Sequence, residues 1–249
     1  MKISVRSLAV LLLAAVVIAF LLRQQPLQRD APRDLPWTLP DYRQATTSWE
    51  VAEDGRIHTH VEHFFLRGIT PEMVLWFYQH LPISTVELNG VTIPLYHIFH
   101  PTEHGRISVI EEAPDGTPGM VAGAMIMREE WFGEYDSRGA ARIVEFSPDG
   151  FLAIPEVAGL VIGEVRHRLR GETGGTAYEV DTIIGSELPI LGSLLNLYLR
   201  NAVFHAAMIE QWRRHQVEEV ASLQFFLPQL YAQRGGDNHF VLEMPLPDR

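Results

Sequence analysis

The sequence predicts an α+β fold in which several antiparallel strands precede one long C-terminal helix. Three observations carry this expectation. Between residues 56 and 184, short apolar or alternating runs are separated by Gly, Pro and Asp turns. From Ser193 to Phe226 the chain contains neither proline nor glycine, the pattern of a helix of roughly nine turns. Hydrophobic residues make up 47% of the 249-residue chain and charged residues 20%, enough apolar surface for a substantial core.

Lys2 and Arg6 precede an unbroken apolar run from Leu8 to Leu22, which Arg23 closes. This is the signature of a signal anchor or signal peptide over residues 1–23. As a helix the run spans ~22 Å, short of a ~30 Å hydrocarbon core, with Arg6 and Arg23 placed to snorkel. The basic start favours a cytoplasmic N-terminus, which puts the body outside the cytoplasm, membrane-anchored or secreted. Residues 24–49 carry Pro26, Pro32, Pro36 and Pro40 and read as a semi-stiff tether. The folded domain is expected over 50–249, beginning near Trp49.

In the body, residues 56–66 alternate as a strand. Thr70, Pro71 and Glu72 form a helix start: a cap, a first-turn proline and an acidic residue at the positive end. That helix should stop before Pro82. Tyr96 to Phe99 reads as a strand entering His100-Pro101. Residues 120–132, 140–146, 157–170 and 176–184 are further strand candidates, Gly171 to Gly175 is a hairpin turn, and Phe240 to Met244 is a last short strand.

Composition excludes several functions. No cysteine is present, so disulfides, thiolate metal sites and a cysteine nucleophile are ruled out. The formal net charge is −11, and the excess of acid lies wholly beyond residue 34. An acidic body without a basic stripe argues against nucleic-acid partners.

Three clusters can carry chemistry. His215 and Glu219 are four residues apart on the long helix, on an otherwise apolar face, and two buried polar groups need partners. Neutral imidazole and carboxylate are ordinary metal ligands. Tyr96-His97-Ile98-Phe99-His100-Pro101-Thr102-Glu103-His104 places three histidines in eight residues without choosing among them. Arg128-Glu129-Glu130-Trp131-Phe132-Gly133 ends an apolar strand in a carboxylate pair, and alternation leaves open which glutamate faces inward.

GITPEMVLWFYQHL, YHIFHPTEH, EEWFG and RRHQVEEVASLQFFLPQLY occur in this order over about residues 60–235. In these motifs the chain resembles the diacetylphloroglucinol hydrolase family. The resemblance implies a START-like helix-grip fold, a curved antiparallel sheet wrapping a long C-terminal helix over a cavity. It also implies zinc-dependent cleavage of a carbon–carbon bond, removing an acyl group from a phenolic ketone. Carried over by motif, the zinc ligands would be His104, Glu130, His215 and Glu219, with His100 and Glu129 as competitors for the first two places. Tyr96 looks like a substrate-binding residue of the family, and His167 resembles a second pocket residue. Two departures stand out. A family position that is polar and helps to hold the phenol is Ile107 here, and the signal-like N-terminus is unlike the family's soluble members. The readings that compete with a carbon–carbon hydrolase are a binding module for an apolar ligand and a metal-dependent hydrolase of another bond.

Overall fold

The computed structural model describes residues 26–189 and 191–243, together with Val16, Val17 and Phe20. Apart from those three residues, the segment expected as a signal or anchor over 1–23 lies outside the described residues. Among the described residues, no helix is long and apolar enough to cross a membrane.

The chain runs through β1 (Thr46–Val51), β2 (Ile57–Glu62), β3 (Leu66–Arg67), helix α1 (Pro71–His80), β4 (Thr85–Leu88), β5 (Val91–Pro94) and a one-turn helix α2 (Tyr96–Phe99). It continues through β6 (His104–Glu111), β7 (Met125–Phe132), β8 (Tyr135–Ser147), β9 (Gly150–Val157), β10 (Leu160–Val161), β11 (Gly163–Glu172) and β12 (Gly175–Ile184). Helices α3 (Leu191–Tyr198) and α4 (Ala206–Tyr231) and strand β13 (His239–Leu242) complete it. The fold is α+β, with a large curved antiparallel sheet, two helices inserted between its strands and two following it at the C-terminal end. The main sheet has the order β1-β2-β12-β11-β9-β8-β7-β6, with β10 added to β9 and β3 to β12. Register shifts between His104 and Arg106, Val109 and Glu111, and Ile143 and Glu145 mark bulges, which raise twist and bend strands. A small second sheet orders β13-β4-β5.

α4 presents Met208, Trp212, His215, Val220, Leu223, Phe226, Leu227 and Leu230 to the interior. Phe226 and Phe99 both pack on Phe77 of α1, with ring centroids 5.4 Å and 5.0 Å away. The start of α1 follows the sequence: the Thr70 hydroxyl accepts from the Met73 amide at 3.4 Å, and Pro71 occupies a position whose N–H would have no helical partner.

Three expectations are corrected. Tyr96 to Phe99 forms a helical turn, not a strand. Tyr96, Ile98 and Phe99 are all buried, whereas a strand would turn alternate side chains to opposite faces. The segment 157–170 is no single strand, because Ala158 and Gly159 turn the chain at positive φ into the short β10, and Gly163 starts β11. The long helix is interrupted. Residues Leu199–Val203 form a π turn, Phe204 leaves helical geometry at φ −110°, ψ 52°, and His205 caps a new start by accepting from the Met208 amide. It then runs on through Pro228 to Tyr231.

The proline-rich segment is bound to the body well before Trp49. Arg29 pairs with Asp136 at 2.7 Å, and the Arg33 side chain donates to the His104 carbonyl at 2.8 Å. Trp37 stacks on Phe225, with ring centroids 5.7 Å apart.

A candidate metal centre beneath the long helix

His104 opens β6, and its direct cross-strand partner on β7 is Glu130. Directly paired residues share a face, so the register sends Glu130 inward beside His104. Glu129 points the other way, is 27% exposed and pairs with Arg138 at 3.4 Å. From the opposite side α4 contributes His215 and Glu219, one turn apart. His104 Nε2 lies 3.3 Å from His215 Nε2 and 3.2 Å from Glu219 Oε2, and His215 Nε2 is 3.6 Å from the same oxygen.

The protons of the two imidazoles follow from their other nitrogens. His104 Nδ1 faces the Tyr96 carbonyl at 2.8 Å, and His215 Nδ1 faces Glu103 Oε2 at 2.9 Å. Neither acceptor has a proton to give, so each ring carries its own on Nδ1 and presents the Nε2 lone pair. Both rings are buried, at 0% and 1% exposure. Burial lowers the His104 pKa to about 4 and holds that of His215 well below its ordinary value. Two lone pairs and a carboxylate oxygen thus converge on one point, the arrangement a divalent cation satisfies. Glu103 completes a carboxylate–histidine pair of the kind that orients metal ligands. It is itself fixed by the Gly133 amide at 2.8 Å and by Arg214.

His100 has no such lone pair. Its Nδ1 accepts from the Thr102 and Glu103 amides at 3.3 Å and 3.1 Å. Its proton is therefore on Nε2, facing Glu218 Oε2 at 3.2 Å. It also stacks on His215, centroids 4.7 Å apart.

Glu130 accepts the Tyr96 hydroxyl, and Arg128 Nη1 sits 3.2 Å from its other oxygen. Burial raises the Glu130 pKa, but Arg128 and then His215 and His104 outweigh it, leaving a net lowering. Burial, reinforced by the charge on Glu130, pushes Glu219 well above the usual carboxylate range. Without a cation, Glu219 is thus the group that takes up a proton and shares it with a facing imidazole nitrogen. The Tyr96 hydroxyl is pushed well above its ordinary value by burial and stays a donor, while its ring stacks on His104 at 3.9 Å.

These groups form the polar end of a cavity of about 770 Å³, counting its mouth. Phe99, Ile107, Ile126, Ile143, Phe151 and Val165 supply its apolar wall. His167 also lines it, stacked on Phe151 at 3.9 Å, with Nδ1 hydrogen-bonded to Tyr178 at 2.6 Å. Tyr178 in turn donates to Tyr78, another lining residue, at 2.8 Å. The structure therefore gathers His104, Glu130, His215, Glu219 and Tyr96 at one end and places His167 on the wall. Sequence reasoning missed Glu103, Arg128 and the Tyr78–Tyr178 pair. Glu103 and Arg128 stand inside motifs already singled out, but which way each points is a property of the fold.

No family model matches the chain, and no curated protein matches it. Among solved structures, the chain is similar to protein Ms6760 from Mycobacterium smegmatis, at 14% identity and TM-score 0.43, over 72% of this chain and 96% of that one. It is similar to the KanY protein at 12% identity and TM-score 0.42, over 72% and 96%. A START superfamily protein from Mycobacterium smegmatis aligns at 13% identity and TM-score 0.36, over 65% and 97%. Likeness at this level assigns no activity.

Proposed function

We propose that the domain takes a small hydrophobic ligand into the cavity under α4 and acts on it as a zinc-dependent hydrolase. The observation that carries the metal is the pair of imidazole nitrogens, His104 Nε2 and His215 Nε2, facing each other at 3.3 Å with their protons on the far side. Nitrogen and carboxylate donors suit zinc. His104, His215 and Glu219 would hold it, with Glu130 as the fourth ligand. Zinc in this place supplies a Lewis acid for an acyl carbonyl or an acidified water.

The chain's own residues have defined tasks in this reading. The apolar wall admits an aromatic ring and excludes bulk water. The Tyr96 hydroxyl, kept protonated, holds an oxygen of the substrate or gives it a proton. His167, kept neutral by burial first and by neighbouring His63 and Arg128, is a base within the same cavity. The resemblance to diacetylphloroglucinol hydrolases points the chemistry to an acyl–ring carbon bond of a phenolic ketone. The apolar wall favours a second reading, a module that binds such a ligand without cleaving it. The basic-then-apolar N-terminus supports an anchor that keeps the pocket outside the cytoplasm.

The test is elemental analysis of the purified full chain beside a His215→Ala/Glu219→Ala variant. About one zinc per chain, lost in the variant with the circular dichroism retained, is the expected result. An acyl-phenol screen follows for the loaded protein. Zinc without turnover leaves the binding module, and a parent that takes up no zinc overturns the hydrolase.

A further inference from the structure

β7 turns Ile126, Arg128 and Glu130 to the interior, and Arg128 is the one cation lining the cavity among its described residues. Its side chain is 41% exposed. It also borders an adjoining cavity whose wall carries Phe132, Leu199 and Phe204 together with Arg138 and Glu156, and both cavities share Arg128, Ala141, Pro155, Val165 and Trp212 as wall. The guanidinium thus stands where the two spaces meet. Its Nη1 contacts Glu130, while Nε and Nη2 have no protein acceptor among the described residues. Its neighbours across the ladder offer none: Ile107 on one side is apolar, and Gly139 on the other leaves open space where a side chain would stand. A guanidinium with free donors beside an apolar wall is matched by a planar oxyanion, which accepts two N–H bonds at once.

We propose that Arg128 makes this cavity selective for aromatic ligands bearing an oxyanion, a carboxylate or an ionised phenol, over neutral ligands of the same shape. The inference rests on the ligand-binding reading of the cavity above and not on its metal. Of the carboxylates lining the two cavities, Glu130 is paired with Arg128 itself, Glu219 faces His104, and Glu156 lies 3.7 Å from Arg142. The anion takes the free edge of the guanidinium, and the ring lies on the apolar wall.

Calorimetry with 2-naphthoate and 2-naphthamide, two ligands of one shape and different charge, tests this on the full chain. The zinc-loaded and the chelator-treated protein are measured separately. The parent should bind naphthoate roughly tenfold or more tightly than naphthamide. Arg128→Gln should abolish that preference while leaving naphthamide binding in place. Arg128→Lys, which keeps the charge and loses the fork, should retain part of it and stands in if the Gln variant does not fold. Equal binding of both probes by the parent, no binding of naphthoate, or an undiminished preference in Arg128→Gln each overturns the proposal. If the protein holds no zinc but the preference still depends on Arg128, the hydrolase falls and the anion site stands.

Discussion

Glu103 and His215 lie on different elements, 112 residues apart in sequence, yet Glu103 Oε2 accepts from His215 Nδ1 at 2.9 Å. That one contact fixes which nitrogen of His215 faces His104 and Glu219. Glu103→Gln removes the charge and can offer the wrong hydrogen-bonding atom to Nδ1. Zinc affinity should fall about 10- to 100-fold with little change in fold. Competition against a chromogenic chelator measures it, and unchanged affinity would show that His215 is oriented by other means.

Glu130→Gln and Glu129→Gln separate the two carboxylates. The first should weaken zinc binding and activity together, since Glu130 is inward and bonded to Tyr96. The second touches a partly exposed ion pair with Arg138 and should change stability by less than about 1 kcal/mol. Metal content of the two purified variants is the readout, and equal loss in both would remove Glu130 from the ligand set.

Phe226→Ala opens a cavity where α4 meets Phe77, away from the polar cluster. The expected cost is about 3–5 kcal/mol, visible as a drop of roughly 10 °C in melting temperature. Zinc stoichiometry should survive in the fraction that folds.

His63 gives the fold an acid sensitivity. It is buried, neither ring nitrogen has a hydrogen-bond partner, and burial, aided by His60, lowers its pKa to about 3. The unfolded chain takes up this proton near pH 6.5 and the folded chain does not. Stability contributed here is therefore complete above pH 6.5 and lost as pH falls toward 3, by about 1.4 kcal/mol per unit. His63→Leu should reduce, not remove, the fall of the urea-unfolding midpoint between pH 6 and 4, because His104, His167 and His215 act in the same direction, and an unaltered slope would exclude a contribution from His63.

The α+β plan, the capped start of α1 and the inward stripe of α4 were legible because each depends on local chemistry and periodicity. His215 and Glu219 fell together for the same reason, since a helix stacks residues four apart. Which of Glu129 and Glu130 faces inward depends on the pairing of β6 with β7, and which nitrogen of His100 bears the proton depends on the amides of Thr102 and Glu103. Neither is written in spacing. The Asn89-Gly90 turn joining β4 to β5 carries a hairpin signal, with φ of 53° and 81°, that went unread. The break before α4 escaped because histidine is not among the usual capping residues.

The hydrogen bonds of Leu27 and Arg29 to Asp136 also set a length. A tether free from residue 24 to 49 would reach on the order of 90 Å fully extended. Bound to the body from Leu27 onward, the segment gives up most of that reach. If the proposed anchor sat in a bilayer, this contact would hold the domain near the lipid surface. A hydrophobic ligand would then have a short path from the acyl chains to the cavity.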